Sequence, residues 1–132
     1  MVVLVVEDDA SIRALCRVTF ERAQQGALRG VRYVDAGDLA SARAAIASEA
    51  PDLVVMDVRL PDGNGLDLLR ELRYSGNPDG TRVIIASASV LPSERDAALA
   101  AGADRFLPKP YRPSELVDAV AELLPGADQP EI

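Results

Sequence analysis

The sequence predicts an α/β fold in which a parallel sheet is covered on both faces by helices. Three observations predict it. Apolar runs of strand length recur along the 132 residues: Val2–Val6, Val31–Ala36, Leu53–Met56, Val83–Ala86 and Arg105–Leu107. They are nearly continuous rather than alternating, as strands buried on both faces must be. Segments with apolar residues at helical spacing lie between them, so the order is β-α five times over. A chain of this length makes one domain, read here as 1–125, with the polar stretch 126–132 as a mobile tail.

Each element has its own justification. The first helix follows Asp9, a good N-cap, and carries Ile12, Leu15, Cys16 and Thr19 on one face. The second follows Asp38 and carries Leu39, Ala42 and Ile46. The third is marked by Leu66, Leu69 and Leu72. The fourth is a weaker, alanine-rich helix from Pro92 to Ala101, stopped by Gly102, which suits a left-handed C-terminal position. Its alanines bury little area, so it is expected to be among the most mobile elements. The fifth has the clearest amphipathic face: Leu116, Val117, Val120, Leu123 and Leu124. Pro92 and Pro113 suit first helical turns, and Glu94 and Glu115 place negative charge near those N-termini.

Composition removes several functions. The net charge is −7, which is wrong for a general nucleic-acid binder. No apolar run reaches membrane-spanning length, and "MVVLVV" is too short for a signal core. One cysteine excludes an internal disulfide, and a cytoplasmic location is expected. Histidine is absent. That excludes Ser-His and Cys-His catalytic pairs and the commonest zinc ligand. Any phosphohistidine must belong to another molecule.

The chemistry collects at the ends of the strands. The third run stops abruptly in Asp57, and the first stops in Glu7, Asp8 and Asp9. In parallel α/β sheets ligands bind beyond the carboxyl ends of the strands, at the switch point. If strands one and three are neighbours, these acids converge. Two carboxylates about 4 Å apart repel by roughly 4 kcal/mol at an effective dielectric near 20. An all-oxygen set without His or Cys selects a hard cation, and Mg²⁺ is the natural choice. For Asp9, capping of the first helix is the simpler reading. Ser87 supplies a hydroxyl at the tip of the fourth strand. Lys109, between two prolines just past the fifth, can lie along the acidic rim. The Lys109-Pro110 bond is a candidate cis peptide.

The motifs "VVEDD", "VVMDVRLPDGNG", "IIASAS" and "GADRFLPKP", in this order, resemble the receiver domains of two-component response regulators. The resemblance covers Val2 to about Leu124. It implies a doubly wound, flavodoxin-like (βα)5 fold with sheet order 2-1-3-4-5. It implies that Asp57 is the phosphoryl acceptor, and that Glu7 and Asp8 hold Mg²⁺ with Asp57 and the Arg59 backbone carbonyl. Ser87 would hydrogen-bond the phosphoryl group, and Lys109 would pair with its charge. Phe106 stands at the aromatic switch position, and the side chains of Arg59 and Ser89 would tune phosphoryl lifetime. Two features depart from the usual pattern. Phe106 lacks a tyrosine hydroxyl, so its readout would be by packing alone. Pro108 replaces a small polar residue and is expected to stiffen the lysine loop.

The implied partners are a histidine kinase or histidine phosphotransfer protein and a downstream protein effector. The readout face would be the fourth helix, fifth strand and fifth helix, which could also serve a transient homodimer. Direct nucleic-acid binding and membrane association are not expected. The alternatives are an intermediate receiver in a hybrid-kinase phosphorelay and a haloacid-dehalogenase-like phosphatase. The phosphatase would want a second Asp where Arg59 stands. A flavodoxin-type FMN carrier shares the topology, but "EDDAS" after the first strand repels phosphate. The chain ends soon after the fifth helix, so a stand-alone or excised receiver module is expected.

Overall fold

The computed structural model describes residues 1–74, 80–88 and 91–124. The elements are β1 (Val2–Val6), α1 (Ala10–Ala23), β2 (Arg32–Ala36), α2 (Leu39–Glu49), β3 (Leu53–Asp57), α3 (Gly65–Tyr74), β4 (Arg82–Ser87), α4 (Pro92–Ala100), β5 (Arg105–Pro108) and α5 (Pro113–Leu123). The five strands form one sheet in the order β2-β1-β3-β4-β5, parallel at every pairing. The expected fold class and strand order are both present. One small element was not foreseen: after Asp57, Arg59–Leu60 and Gly63–Asn64 pair as an antiparallel hairpin. The tail 126–132 lies outside the described residues.

Strand alternation explains the unbroken apolar runs. Leu4, Val6, Val54, Met56, Val83 and Ile85 point to one face, where α2, α3 and α4 supply Leu39, Ala42, Leu69 and Ala98. Val3, Val5, Leu53, Val55, Ile84 and Ala86 point to the other, where α1 and α5 supply Cys16, Phe20, Leu116 and Val120. Both faces are covered, so neither set can be polar. A fully buried Leu, Ile or Phe contributes roughly 1.5–3 kcal/mol. By that measure α4 is weakly held, since Ala98 is its one buried residue.

The helix ends follow the expected chemistry. Asp9 caps α1, accepting from the Ser11 amide at 2.8 Å and the Ile12 amide at 3.1 Å. Asp38 caps α2 through the Ser41 amide at 2.8 Å. Beyond α4, Gly102 has φ +108°, a backbone conformation costly for any residue with a Cβ. Glu115 accepts from the Arg112 amide at 3.0 Å. The Lys109-Pro110 bond is cis.

The strand order places β1 between β2 and β3. The chain therefore turns to one side after β1 and to the other after β3, and a crevice opens at the carboxyl ends of these two strands. Both strands deliver acids into it.

Candidate functional site

The backbone sets the positions of the acids. The Glu7 amide continues the ladder beyond β1, donating to the Ala36 carbonyl at 3.0 Å. Glu7 is thereby held in line with the strand and is buried. Asp8, one residue on, is exposed. Arg13 reaches back from α1 and donates through Nη1 to the carbonyls of Glu7 at 2.7 Å and Asp8 at 3.1 Å. Asp57 ends β3 beside Ala86 of β4. One carboxylate oxygen from each of Glu7, Asp8 and Asp57 lies within 4.8 Å of the others. The convergence expected of Glu7, Asp8 and Asp57 is therefore present. Asp9 turns away to cap α1.

Lys109 closes the cluster. Its Nζ donates to Asp57 Oδ2 at 2.9 Å and to Glu7 Oε1. It is a partly buried bridge between two carboxylates, not a solvated surface lysine. Burial alone would lower its ammonium pKa, but the bonds to Glu7 and Asp57 outweigh that and raise it. Burial pushes the Glu7 carboxyl up, and the Lys109 bond only partly offsets this. The Lys109 amide also donates to the Ser87 carbonyl at 2.8 Å, joining the lysine loop to the tip of β4.

The acceptor-side loop is fastened at two points that sequence reasoning missed. Asp62 accepts from the amides of Leu39 at 2.8 Å and Ala40 at 3.0 Å, clamping the loop to the α2 N-terminus. Those amides, the Leu39 bond first, lower its carboxyl pKa. Gly65 donates to the Val58 carbonyl at 2.7 Å, and a Cβ there would stand 2.2 Å from the Asp57 carbonyl oxygen. Backbone cannot yield as a flexible side chain can. Gly65→Ala is therefore expected to cost about 1–3 kcal/mol of stability, measured by urea unfolding. An unchanged midpoint would mean the loop relaxes freely. The cue for Gly65 in the sequence was only a Gly-rich loop. For Asp62 it was only another acid five residues after Asp57.

The remaining expected residues fall in distinct places. Ser87 is buried at the end of β4, and its Oγ donates to Glu94 Oε1 of α4 at 2.8 Å. The Arg59 amide donates to Asp57 Oδ1 at 3.2 Å. Its guanidinium, 85% exposed, stands 4.0 Å from Glu94 Oε2. Glu7, for its part, is held by Lys109. Phe106 is half-buried against the α2-α3-α4 side of the core and sits beside Ile85 in register. Ser89 lies outside the described residues.

The donor set fits a hard divalent cation. Three carboxylates crowd together with one ammonium, and no nitrogen or sulfur ligand is among them. Oxygen-only coordination of this kind suits Mg²⁺.

Comparison with known proteins gives the same picture. The family model for the response regulator receiver domain matches residues 3–121. The chain is 39% identical over 115 residues to the KDP operon transcriptional regulatory protein KdpE of Escherichia coli, covering 86% of this chain and 47% of that protein. It is 38% identical over 122 residues to the response regulator MprA of Mycolicibacterium vanbaalenii, covering 92% and 49%. It thus spans about half the length of these relatives. The receiver domain of the Francisella response regulator 1452 superposes with a TM-score of 0.80 at 31% identity, covering 92% of this chain and 94% of that one. With the sheet order, the acidic crevice and this match over nearly its whole length, the chain belongs to the family of response regulator receiver domains, the receiving modules of two-component signalling.

Proposed function

We propose that the protein is a phospho-acceptor switch that takes a phosphoryl group onto Asp57 from a phosphohistidine of a histidine kinase or histidine phosphotransfer protein. The observation that carries this reading is the Lys109 bridge. An ammonium seated between the strand-end carboxylates Asp57 and Glu7 is placed to neutralise charge delivered to Asp57. Phosphoryl transfer asks little of a protein beyond such positioning and electrostatics. Asp57 Oδ attacks phosphorus, the bond from phosphorus to the donor imidazole nitrogen breaks, and the imidazole leaves with the electron pair. Lys109 keeps its proton throughout, since its bonds hold that proton more tightly than usual. Ser87 supplies a hydroxyl from β4 and Arg59 an amide on Asp57.

Mg²⁺ would be held by Glu7, Asp8, Asp57 and the Arg59 backbone carbonyl, and when bound it neutralises negative charge on the transferring group. Asp8 is the exposed member of the acid set, so it is the one most open to an incoming ion. Asp8→Ala is expected to weaken Mg²⁺ binding by at least about tenfold, read by titration calorimetry. Equal affinity in both proteins would place the ion elsewhere.

The aspartyl phosphate adds charge and acceptor oxygens at the crevice. The response is read on the α4-β5-α5 face, where Phe106 and Leu99 line a shallow depression of about 370 Å³ edged by Arg95, Asp104, Arg105 and Glu122. A cytoplasmic protein effector, or a second copy in a transient dimer, is the partner we assign to that face. Among the described residues no helix is long and apolar enough to cross a membrane. Incubation with acetyl phosphate and Mg²⁺ followed by intact-mass measurement tests the reading. One phosphoryl adduct is expected, and a protein that stays unmodified would overturn it.

A further inference from the structure

The Ser87 hydroxyl does not point at an unclaimed acceptor. It donates to Glu94 Oε1 at 2.8 Å, across the gap between the end of β4 and the first turn of α4. Ser87 is buried and the Glu94 side chain is only 17% exposed. The bond is therefore a charge-assisted one in partly shielded surroundings, about twice as strong as a neutral pair. A serine hydroxyl has a single hydrogen. While Glu94 holds it, a phosphoryl oxygen on Asp57 cannot.

The other Glu94 oxygen faces Arg59, two residues past Asp57, at 4.0 Å. Arg59 is 85% exposed, so its guanidinium has room to close on Glu94. Loss of the Ser87 bond thus leaves Glu94 beside a cation that can take over part of its charge. The three residues link the acceptor loop, the tip of β4 and the start of α4. That helix is anchored in the core by Ala98 as its one buried residue.

We infer that Glu94 is a positioning residue for the switch: it holds the Ser87 hydroxyl in a resting orientation, and an anion on Asp57 must win that hydrogen from Glu94. This rests on the phospho-acceptor reading above. Glu94 is then more than a favourable charge at a helix N-terminus. It sets how much of the binding energy of the phosphoryl group is used to turn Ser87.

The test uses beryllofluoride with Mg²⁺ as a phosphoryl mimic on four proteins: wild type, Glu94→Gln, Ser87→Ala and the double variant. Glutamine keeps the shape and an acceptor oxygen but loses the charge. Glu94→Gln is expected to bind beryllofluoride about three- to tenfold more tightly than wild type. In the Ser87→Ala background the same substitution is expected to gain far less, because no hydroxyl remains to be released. An equal gain in both backgrounds would assign the effect to the lost negative charge alone and overturn the inference. So would unchanged affinity in Glu94→Gln. If wild type itself binds no beryllofluoride and takes no phosphoryl group, the acceptor reading falls, and the role of Glu94 with it. If wild type is modified normally while the four-protein comparison is flat, only the role of Glu94 falls.

Discussion

Asp57→Asn is expected to abolish labelling by acetyl phosphate, a loss of at least about 10³-fold, because it removes the nucleophile. The amide has no charge and no free carboxylate oxygen to attack phosphorus. Neither neighbouring acid is expected to replace it. Glu7 is buried, bonded to Lys109 and to the Asp9 amide at 3.2 Å, while Asp8 is exposed beyond the end of β1. The fold should survive, because asparagine fills the same volume and the change removes one of three crowded negative charges. Intact-mass spectrometry before and after hydroxylamine treatment checks it. A full adduct on the variant, removed by hydroxylamine as in wild type, would assign the acceptor role to another carboxylate.

Lys109→Met is expected to be the most destabilising change in the crevice. Methionine keeps the bulk of the stem and removes the ammonium. Glu7, with a side chain only 4% exposed, and Asp57, 16% exposed, are left facing each other without their shared cation. Breaking a buried pair by removing one partner costs about 3–5 kcal/mol. The pH dependence has a definite sign. Burial already raises the Glu7 pKa above 4.5, and loss of Lys109 raises it further. A raised acid favours folding when protonated, and that contribution is lost as pH rises through its folded pKa. The deficit relative to wild type is therefore largest near neutrality and shrinks as pH falls toward 4.5. The Lys109 contribution in wild type runs on the alkaline side. Its folded pKa is raised above 10.5, so it is fully present below that value and is lost as pH rises through the folded pKa. Added Mg²⁺ should recover part of the deficit, since a bound cation stabilises the state that holds it. Phosphorylation should also slow by about 10²-fold, as when one charge-stabilising donor is removed. Urea unfolding at several pH values, with and without Mg²⁺, is the measurement. A deficit that grows toward low pH would show that Lys109 acts elsewhere than on Glu7.

The sequence by itself determined the layers, the order of elements and the rim. Val2–Val6 and Leu53–Met56 read as strands because both faces of each are covered, which forces unbroken apolar character on the chain itself. Asp57 and Glu7 were visible because a carboxylate at the end of such a run has no packing reason to be there. Asp9, Asp38 and Gly102 were legible because capping and left-handed backbone are local chemistry. Their partners lie within a few residues, so spacing alone carries the information.

Only the tertiary structure decided how those residues are connected. Lys109 could be placed along the rim from its position after β5, but its seat between Glu7 and Asp57 depends on strands that meet through the sheet order. Nothing local marks Asp62, which matters because the fold brings the Leu39 and Ala40 amides of α2 to it. Glu94 read as a helix-dipole charge, and nothing in "SVLPSERD" indicates that it reaches Ser87. Nothing local marks Arg13 either, yet it fastens the acidic turn through the Glu7 and Asp8 carbonyls. Each of these contacts is set by a side-chain rotamer and by the approach of two separate elements. A polar side chain in a sequence has many possible partners of similar strength, and packing selects among them. An apolar run has one requirement, to leave water, and that requirement is written in the chain.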